Sequence, residues 1–469
     1  MSTLQDALRQ RFSGRRVTVV GLGREGTALV RFLAPLDALI TVSDAQPADA
    51  LSQQMGGIVG LPVRLALGGN DPADFLSADI VLLSPGVPLT LPAVVAARES
   101  GVELSSLTAL FLEYCPVPLI GVTGSNGKTT TTSLIAAMLQ AAGRWVWLGG
   151  NLGRPLIEQM ERMLPGSWAV VELSSFQLEL VQRSPHISVI TNISPNHLDM
   201  HPTFEAYIAA KRNIFRFQTP FDVAVLNQDN SVTRDLMGQA PGRTLPFSRK
   251  VTLPGDGAFV RDDQAVMRYD GKERAIMPLG DLQIPGVHNV ENLLAAAAAA
   301  TAAGVPVEAQ AAGARAFRGV EHRLERVREV AGVVYVNDSI ATSPERALAG
   351  LRSYTRPLVL LAGGRDKHLS LEEWAAEAGA RCRAVVLFGE AAAPFGRALA
   401  AAPGPRPEVR QAAGLAEAVA LAQDIARSGD IVLLSPAGTS FDEFRDFEER
   451  GRRFKALVAA LEERRAISA

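Results

Sequence analysis

The chain has 469 residues, enough for about three domains. Apolar residues make up 47% and charged residues 20%, which excludes disorder along the whole chain. With 47 basic and 49 acidic residues the net charge is −2, so no broad field draws in nucleic acid or an anionic membrane.

Short apolar runs recur in chain order, each bounded by turn residues and followed by a helical stretch. They are Val17–Val20, Ile80–Leu83, Leu119–Val122, Ala169–Val171, Val189–Ile190, Val223–Leu226, Val333–Val336, Leu358–Leu361, Val385–Phe388 and Ile431–Leu434. Continuous apolar strands alternating with helices predict an α/β fold with parallel sheets covered on both faces. Residues 257–278 break the rhythm. Ala258–Arg261, Gln264–Tyr269 and Glu273–Met277, joined by Asp-Asp and Asp-Gly turns, predict a small antiparallel meander. The alanine-rich stretch Leu293–Gly304 has 12 residues, where a membrane span needs about 20, so a buried helix is expected. The first residues lack the apolar core of a secretory signal. Cys115 and Cys382 are too far apart in sequence to suggest a disulfide framework or a zinc cage. Boundaries are expected near 112 and 319, giving domains 1–112, 113–319 and 320–469.

Gly21-Leu-Gly-Arg-Glu-Gly26 follows the first strand, and Asp44 ends the next, 18 residues beyond Gly26. Alone, this G-x-G-x-x-G fingerprint predicts a Rossmann-like first domain and an NAD-dependent oxidoreductase. No dehydrogenase constellation follows it, whereas a second phosphate loop does. In residues 119–132 an apolar strand enters Gly124-Ser-Asn-Gly-Lys-Thr-Thr130 and opens a helix with apolar Leu134, Ile135, Met138 and Leu139. Gly124, Ser125, Asn126, Gly127 and Thr130 would cradle the phosphates of ATP with backbone and side-chain donors. Lys128 would reach the β/γ-phosphates and Thr129 would ligate magnesium. Val122 stands where a strict loop of this type has its first glycine.

Glu172 follows a strand, where a carboxylate can hold magnesium opposite Thr129 or stabilise a helix start. His197 also follows a strand, and either a structural or a functional role suits it. Lys211 sits on the expected helix Phe204–Phe217; composition alone makes it a surface lysine. Asn289 and Asn292 could cap the alanine-rich helix.

The stretch T-G-S-N-G-K-T-T resembles the Mur ligase family, the ATP-dependent amide ligases of peptidoglycan assembly. The resemblance continues through Ser84-Pro-Gly-Val-Pro, Gly149-Gly-Asn-Leu-Gly, Glu172-Leu-Ser-Ser-Phe-Gln-Leu-Glu, Asn196-His-Leu-Asp and Ala209-Ala-Lys. It extends through His288-Asn-Val-Glu-Asn, Glu321-His-Arg, Asn337-Asp-Ser and the stretch from Leu434 to Phe447. It implies a Rossmann-like N-terminal domain, a central ATP-binding domain with a parallel sheet plus the small antiparallel one, and a Rossmann-like C-terminal domain. The activity implied joins D-glutamate to UDP-N-acetylmuramoyl-L-alanine through an acyl phosphate. L-glutamate or another amino acid of the family stays open, as do a folylpolyglutamate synthase, which lacks a comparable first domain, and a non-catalytic nucleotide-binding regulator.

The resemblance also implies two magnesium ions, with His197 as a ligand that meets the substrate and a carbamylated Lys211 as another. It places Asn289 and Asn292 near the adenine, and Arg323 and Asp338 as ATP contacts. Arg24, Glu25, Asp44, Ser84 and Asn151 are implied to grip the uridine nucleotide. Thr342 and Lys367 would hold the α-carboxylate of glutamate, Ser440 and the backbone at Phe447 its γ-carboxylate. One departure stands out: Ile340 occupies the place of a lysine in the N-D-S-K-A-T pattern of many glutamate ligases. A cytoplasmic monomer that binds neither nucleic acid nor membrane is expected.

Overall fold

Strands that must bury both faces need apolar side chains at successive positions, and in the computed structural model the apolar runs named above all lie in strands. The structure describes residues 3–151, 155–195, 201, 203–284 and 286–462. They fold as two compact units, Met1–Phe317 and Arg318–Ala469.

The first unit holds two sheets. One comprises β1 (Arg16–Val20), β2 (Leu39–Asp44), β3 (Val63–Leu67), β4 (Ile80–Leu83) and β5 (Glu103–Ser105), in the order β3-β2-β1-β4-β5. All its pairings are parallel. The chain leaves β1 toward one edge and returns to β4 on its other side, so a crevice opens beyond the carboxyl ends of β1 and β4.

The second sheet comprises β6 (Leu119–Thr123), β7 (Val146–Gly150), β8 (Trp168–Glu172), β9 (Ile187–Ile190), β10 (Val223–Asn227), β11 (Arg243–Ser248), β12 (Gly257–Arg261), β13 (Gln264–Tyr269) and β14 (Lys272–Pro278). Its order is β14-β13-β12-β11-β10-β9-β6-β8-β7. The expected meander is present and antiparallel. It is not a separate small sheet, however, because Phe247 and Ser248 of β11 pair in parallel with Ala258 and Phe259 of β12. The meander therefore extends the edge of one mixed sheet.

Behind this sheet lie the helices Lys128–Ala141 and Val287–Ala302. Leu134, Ile135, Met138, Leu139 and the run Ala295–Ala300 are all buried there. The helix Leu107–Tyr114 inserts Leu107, Leu110 and Phe111 into a core that also includes Leu29 of the first layer and Ile214 of the second.

The second unit carries β15 (Glu325–Val330), β16 (Val333–Asn337), β17 (Leu358–Gly363), β18 (Cys382–Phe388), β19 (Glu408–Ala412) and β20 (Ile431–Ala437), ordered β15-β16-β20-β17-β18-β19. Only β15 runs antiparallel to its neighbour. The loops after β16, β17 and β20 thus emerge side by side.

Candidate active site

The phosphate loop is shaped by two glycines that no other residue replaces without strain. Gly124 has φ +151°, and a Cβ there would lie 1.9 Å from Thr191 Oγ1; Gly127 has φ +81°, with Asn292 Oδ1 at 2.3 Å. Gly127 precedes the helix Lys128–Ala141 directly, so the amides of its first turn and its dipole face the loop. The loop is then pinned from the chain after β9. Ser125 N donates to Asn192 O at 2.8 Å, and Asn126 N to Asn192 Oδ1 at 3.0 Å. The Ser125 hydroxyl lies 3.0 Å from the hydroxyl of buried Tyr207. Lys128 Nζ folds back on Gly124 O at 3.0 Å and Ser125 O at 3.3 Å.

Thr129 and Glu172 converge as expected, Thr129 Oγ1 donating to Glu172 Oε2 at 2.6 Å. The other carboxylate oxygen accepts Asn151 Nδ2 at 2.8 Å, while Asn151 N donates to Glu172 O at 2.8 Å. Glu172 ends β8 outside the following helix, which is capped instead by Ser174 and Gln177. A hydroxyl and a carboxylate are hard oxygen donors of the kind magnesium prefers, with phosphate and water filling the remaining positions. Among the described residues no three His, Cys, Asp or Glu side chains cluster as metal ligands. His197 lies outside the described residues.

Lys211 is no surface lysine. It is 2% exposed on the inner face of the helix Phe204–Arg216. Its Nζ donates to Gly124 O at 3.0 Å and lies 4.6 Å from the centre of the Tyr207 ring. Burial, reinforced by the charge of Lys128 and opposed by Glu172, pulls its pKa down to about 6.

Asn289 and Asn292 do not cap their helix, whose cap residue is Gly286. Both sit buried inside it. Asn292 Nδ2 donates to Asn289 Oδ1 at 2.9 Å, and Thr131 Oγ1 donates to Asn292 Oδ1 at 3.2 Å. The pair thus stands against the start of the phosphate-loop helix.

In the first sheet, Ser84 Oγ donates to Gly21 O at 2.9 Å. A Cβ at Gly26 would come within 1.9 Å of that same oxygen, so helix and loop can approach only at glycine. Asp44 uses Oδ2 to accept Leu22 N at 2.7 Å and Oδ1 to accept Gln46 N at 2.9 Å. It shapes the loop with both oxygens, which disfavours the oxidoreductase reading, where a carboxylate here is offered to a ribose. Arg24 is exposed and donates to Asn151 O at 3.4 Å. Glu25, by contrast, is buried and accepts Gln177 Nε2 at 2.7 Å through Oε1. Its Oε2 has no hydrogen-bond partner among the described residues, and burial raises its pKa despite the Gln177 bond.

In the second unit, Asp338 follows β16 and is 4% exposed. Ser435 Oγ donates to its Oδ2 at 2.9 Å and Leu324 N to its Oδ1 at 3.2 Å. Burial lifts its pKa to about 7 against these bonds and the charges of Arg323 and Arg346. Arg323 and Lys367 are exposed, Thr342 is half-buried and Ser440 is buried. Phe447 opens the helix Phe447–Ala459, and its carbonyl accepts Ser339 Oγ at 2.7 Å. Sequence reasoning missed Arg450, which is fully buried and whose guanidinium donates to Ser339 and the Gly438 carbonyl, holding two of these loops. Tyr207, Gln177 and Asn192 were also missed. Tyr207 and Asn192 act through contacts distant in sequence, and although Gln177 completes a local capping box with Ser174, its bond to Glu25 is also distant and leaves no local signal.

An α/β protein whose phosphate loop carries a threonine bonded to a glutamate at the end of a neighbouring strand has the architecture of the phosphate-loop class. Residues 15–106 match the Mur ligase MurD-like N-terminal domain, residues 122–300 the Mur ligase middle domain, and residues 322–438 the Mur ligase glutamate ligase domain. The chain belongs to the Mur ligase family. It is 46% identical, over 95% of its length and 98% of the relative's, to the UDP-N-acetylmuramoylalanine--D-glutamate ligase of Symbiobacterium thermophilum. A protein of the same name from Acetivibrio thermocellus is 41% identical over 98% of this chain and 100% of its own. Among solved structures, UDP-N-acetylmuramate-alanine ligase MurC from Thermotoga maritima superposes with a TM-score of 0.54 at 20% identity, covering 95% of this chain and 99% of that one. A pseudomurein peptide ligase type C from Methanothermus fervidus gives 0.52 at 18%, covering 96% and 100%. At such identities the likeness is one of fold. No helix among the described residues is long and apolar enough to cross a membrane.

Proposed function

We propose that the chain is an ATP-dependent ligase that adds D-glutamate to UDP-N-acetylmuramoyl-L-alanine, acting as a cytoplasmic monomer in peptidoglycan precursor synthesis. The observation that carries this reading is the 46% identity over 95% of the chain to a ligase so named. The site supplies a mechanism.

A carboxylate is a poor electrophile, so amide formation needs it activated. The L-alanyl carboxylate oxygen attacks the γ-phosphorus of ATP, the bond to the bridging oxygen breaks, and ADP leaves behind an acyl phosphate. The glutamate amine then attacks the acyl carbon, and phosphate departs with the carbon–oxygen bonding pair as the amine loses its proton. The phosphate-loop amides of residues 124–130 and Lys128 hold the triphosphate, and positioning with charge neutralisation accounts for most of the rate.

Thr129 and Glu172 would hold magnesium, with His197 proposed for a second ion. When bound, the metal neutralises phosphate charge. Lys211, with its pKa down at about 6, is a neutral amine at pH 7. Such an amine can attack carbon dioxide, forming a nitrogen–carbon bond and releasing a proton to water; the resulting carbamate is a carboxylate suited to a cation.

Asn289 and Asn292 are assigned to the adenine, Arg323 and Asp338 to further ATP contacts. The uridine nucleotide is assigned to Arg24, Glu25, Asp44, Ser84 and Asn151, although buried Glu25 and doubly engaged Asp44 suit loop support better than direct contact. Thr342, Lys367, Ser440 and the Phe447 backbone are assigned to glutamate.

The test is phosphate release from ATP in the presence of UDP-N-acetylmuramoyl-L-alanine, comparing D-glutamate, L-glutamate and other amino acids. Release with D-glutamate is expected. Silence with both glutamates sinks the proposal, and preference for L-glutamate keeps the chemistry while correcting the substrate.

A further inference from the structure

Glutamate carries two carboxylates at neutral pH, so a pocket for it needs cations that the protein's own acids have not neutralised. In the loops after β16 and β17, Ile340 offers no charge. Arg365 is already paired, its Nε and Nη2 donating to the two Glu390 oxygens at 2.9 and 3.1 Å. Lys367 is exposed, and its ammonium makes no hydrogen bond or ion pair among the described residues.

A second cation stands on the helix that follows the β16 loop. Arg346 lies in the first turn of the helix Pro344–Arg352. This helix presses on the end of β16 at Gly350, where a Cβ would come within 2.8 Å of Asp338 Oδ2 and 3.0 Å of Ser435 Oγ. Four residues earlier, the same helix face carries Arg346 one turn nearer the helix start. Its guanidinium is exposed and makes no hydrogen bond or ion pair among the described residues. Its charge nevertheless reaches both neighbours, opposing the rise of the Asp338 pKa and adding to the fall of the Lys367 pKa. The loops after β16 and β17 emerge side by side, so these two like charges repel, and an anion bound between the loops relieves the repulsion.

We infer that Arg346 acts with Lys367 to hold a carboxylate of the incoming amino acid, supplying the cation that Ile340 does not. A planar guanidinium can meet that carboxylate through two parallel bonds, which an ammonium cannot. The assignment rests on the ligase reading above and adds a residue to its amino-acid pocket.

The test is steady-state kinetics of Arg346→Met and Arg346→Lys with each of the three substrates varied in turn. Arg346→Met raises KM for D-glutamate on the order of ten- to a hundredfold. It leaves KM for ATP and for the uridine substrate within about twofold, with the melting temperature unchanged. Arg346→Lys recovers part of the loss, as does adding Ile340→Lys to Arg346→Met. An unchanged KM for D-glutamate, or an equal rise in all three constants, overturns the assignment alone. A wild-type protein that ligates no amino acid overturns the functional reading and the assignment with it.

Discussion

Lys128 and Lys211 reach for one acceptor, each placing its terminal nitrogen 3.0 Å from the carbonyl oxygen of Gly124. Burial of Lys211 is the larger cause and the neighbouring charge of Lys128 adds to it, so the Lys211 pKa falls to about 6. The site therefore contains a lysine that is neutral at physiological pH, buried, and within electrostatic range of Glu172.

If that lysine becomes a carboxylate for the metal, Lys211→Ala removes a ligand as well as a side chain. Turnover falls by a factor of 100 or more, on the scale of losing a strong electrostatic stabiliser. Native mass spectrometry of the wild type shows one added carbon dioxide, absent from the variant. Wild-type turnover in Lys211→Ala removes the residue from the chemistry.

Stability changes in the opposite direction. In buffer free of carbon dioxide the folded pKa of Lys211, about 6, lies below its ordinary 10.5. Below about pH 6 folding carries the whole cost of burying this charge. Between 6 and 10.5 the unfolded chain holds the extra proton, so the cost shrinks as pH rises. Lys211→Met removes it, stabilising by roughly 1–4 kcal/mol near neutrality, with the advantage fading toward pH 10.5. Urea unfolding at several pH values checks this, and an advantage that grows with pH contradicts it.

Gly127→Ala places a methyl group against Asn292 Oδ1 and forces φ +81° on a residue with a side chain. The expected cost is about 1–3 kcal/mol, together with weaker ATP binding, because the Asn292 side chain must leave Thr131 and Asn289. Nucleotide titration and thermal melting report both effects. Wild-type values in both refute the packing described.

Asp338 is the acidic counterpart of Lys211, with a pKa raised from 3.8 to about 7. Between these values the folded protein holds the extra proton, so stability falls as pH climbs, and above about 7 the full cost remains. Asp338→Asn keeps an acceptor for Leu324 N and can donate to Ser435. It matches wild-type stability below about pH 4 and exceeds it by up to about 4 kcal/mol above pH 7, even where activity is lost. A gap that does not vary with pH argues against a buried charge.

The central strands were legible because a sheet covered on both faces requires consecutive apolar residues, as in Val223–Leu226. Edge strands such as β15 and β19 carry Glu and Arg along much of their length, since one side meets solvent, and they give no such signal. The meander's turns were readable, but its attachment to β11 depends on two residue pairs that leave no mark in the local pattern. The phosphate loop and Glu172 were legible for the same reason as the strands, being local motifs at strand ends. The contacts that shape them were not. Asn151 bridges Glu172 and Arg24 across distant segments, and the depth at which Lys211 lies follows from packing on Tyr207 rather than from its neighbours in sequence.

The most direct test of the ligase reading follows one oxygen atom. UDP-N-acetylmuramoyl-L-alanine labelled with heavy oxygen in its L-alanyl carboxylate is turned over with ATP and D-glutamate, and the products are weighed. The mechanism predicts one labelled oxygen in each inorganic phosphate released, with ADP and the glutamyl product formed in equal amounts. Label in AMP, unlabelled phosphate, or phosphate release without amide formation would contradict it.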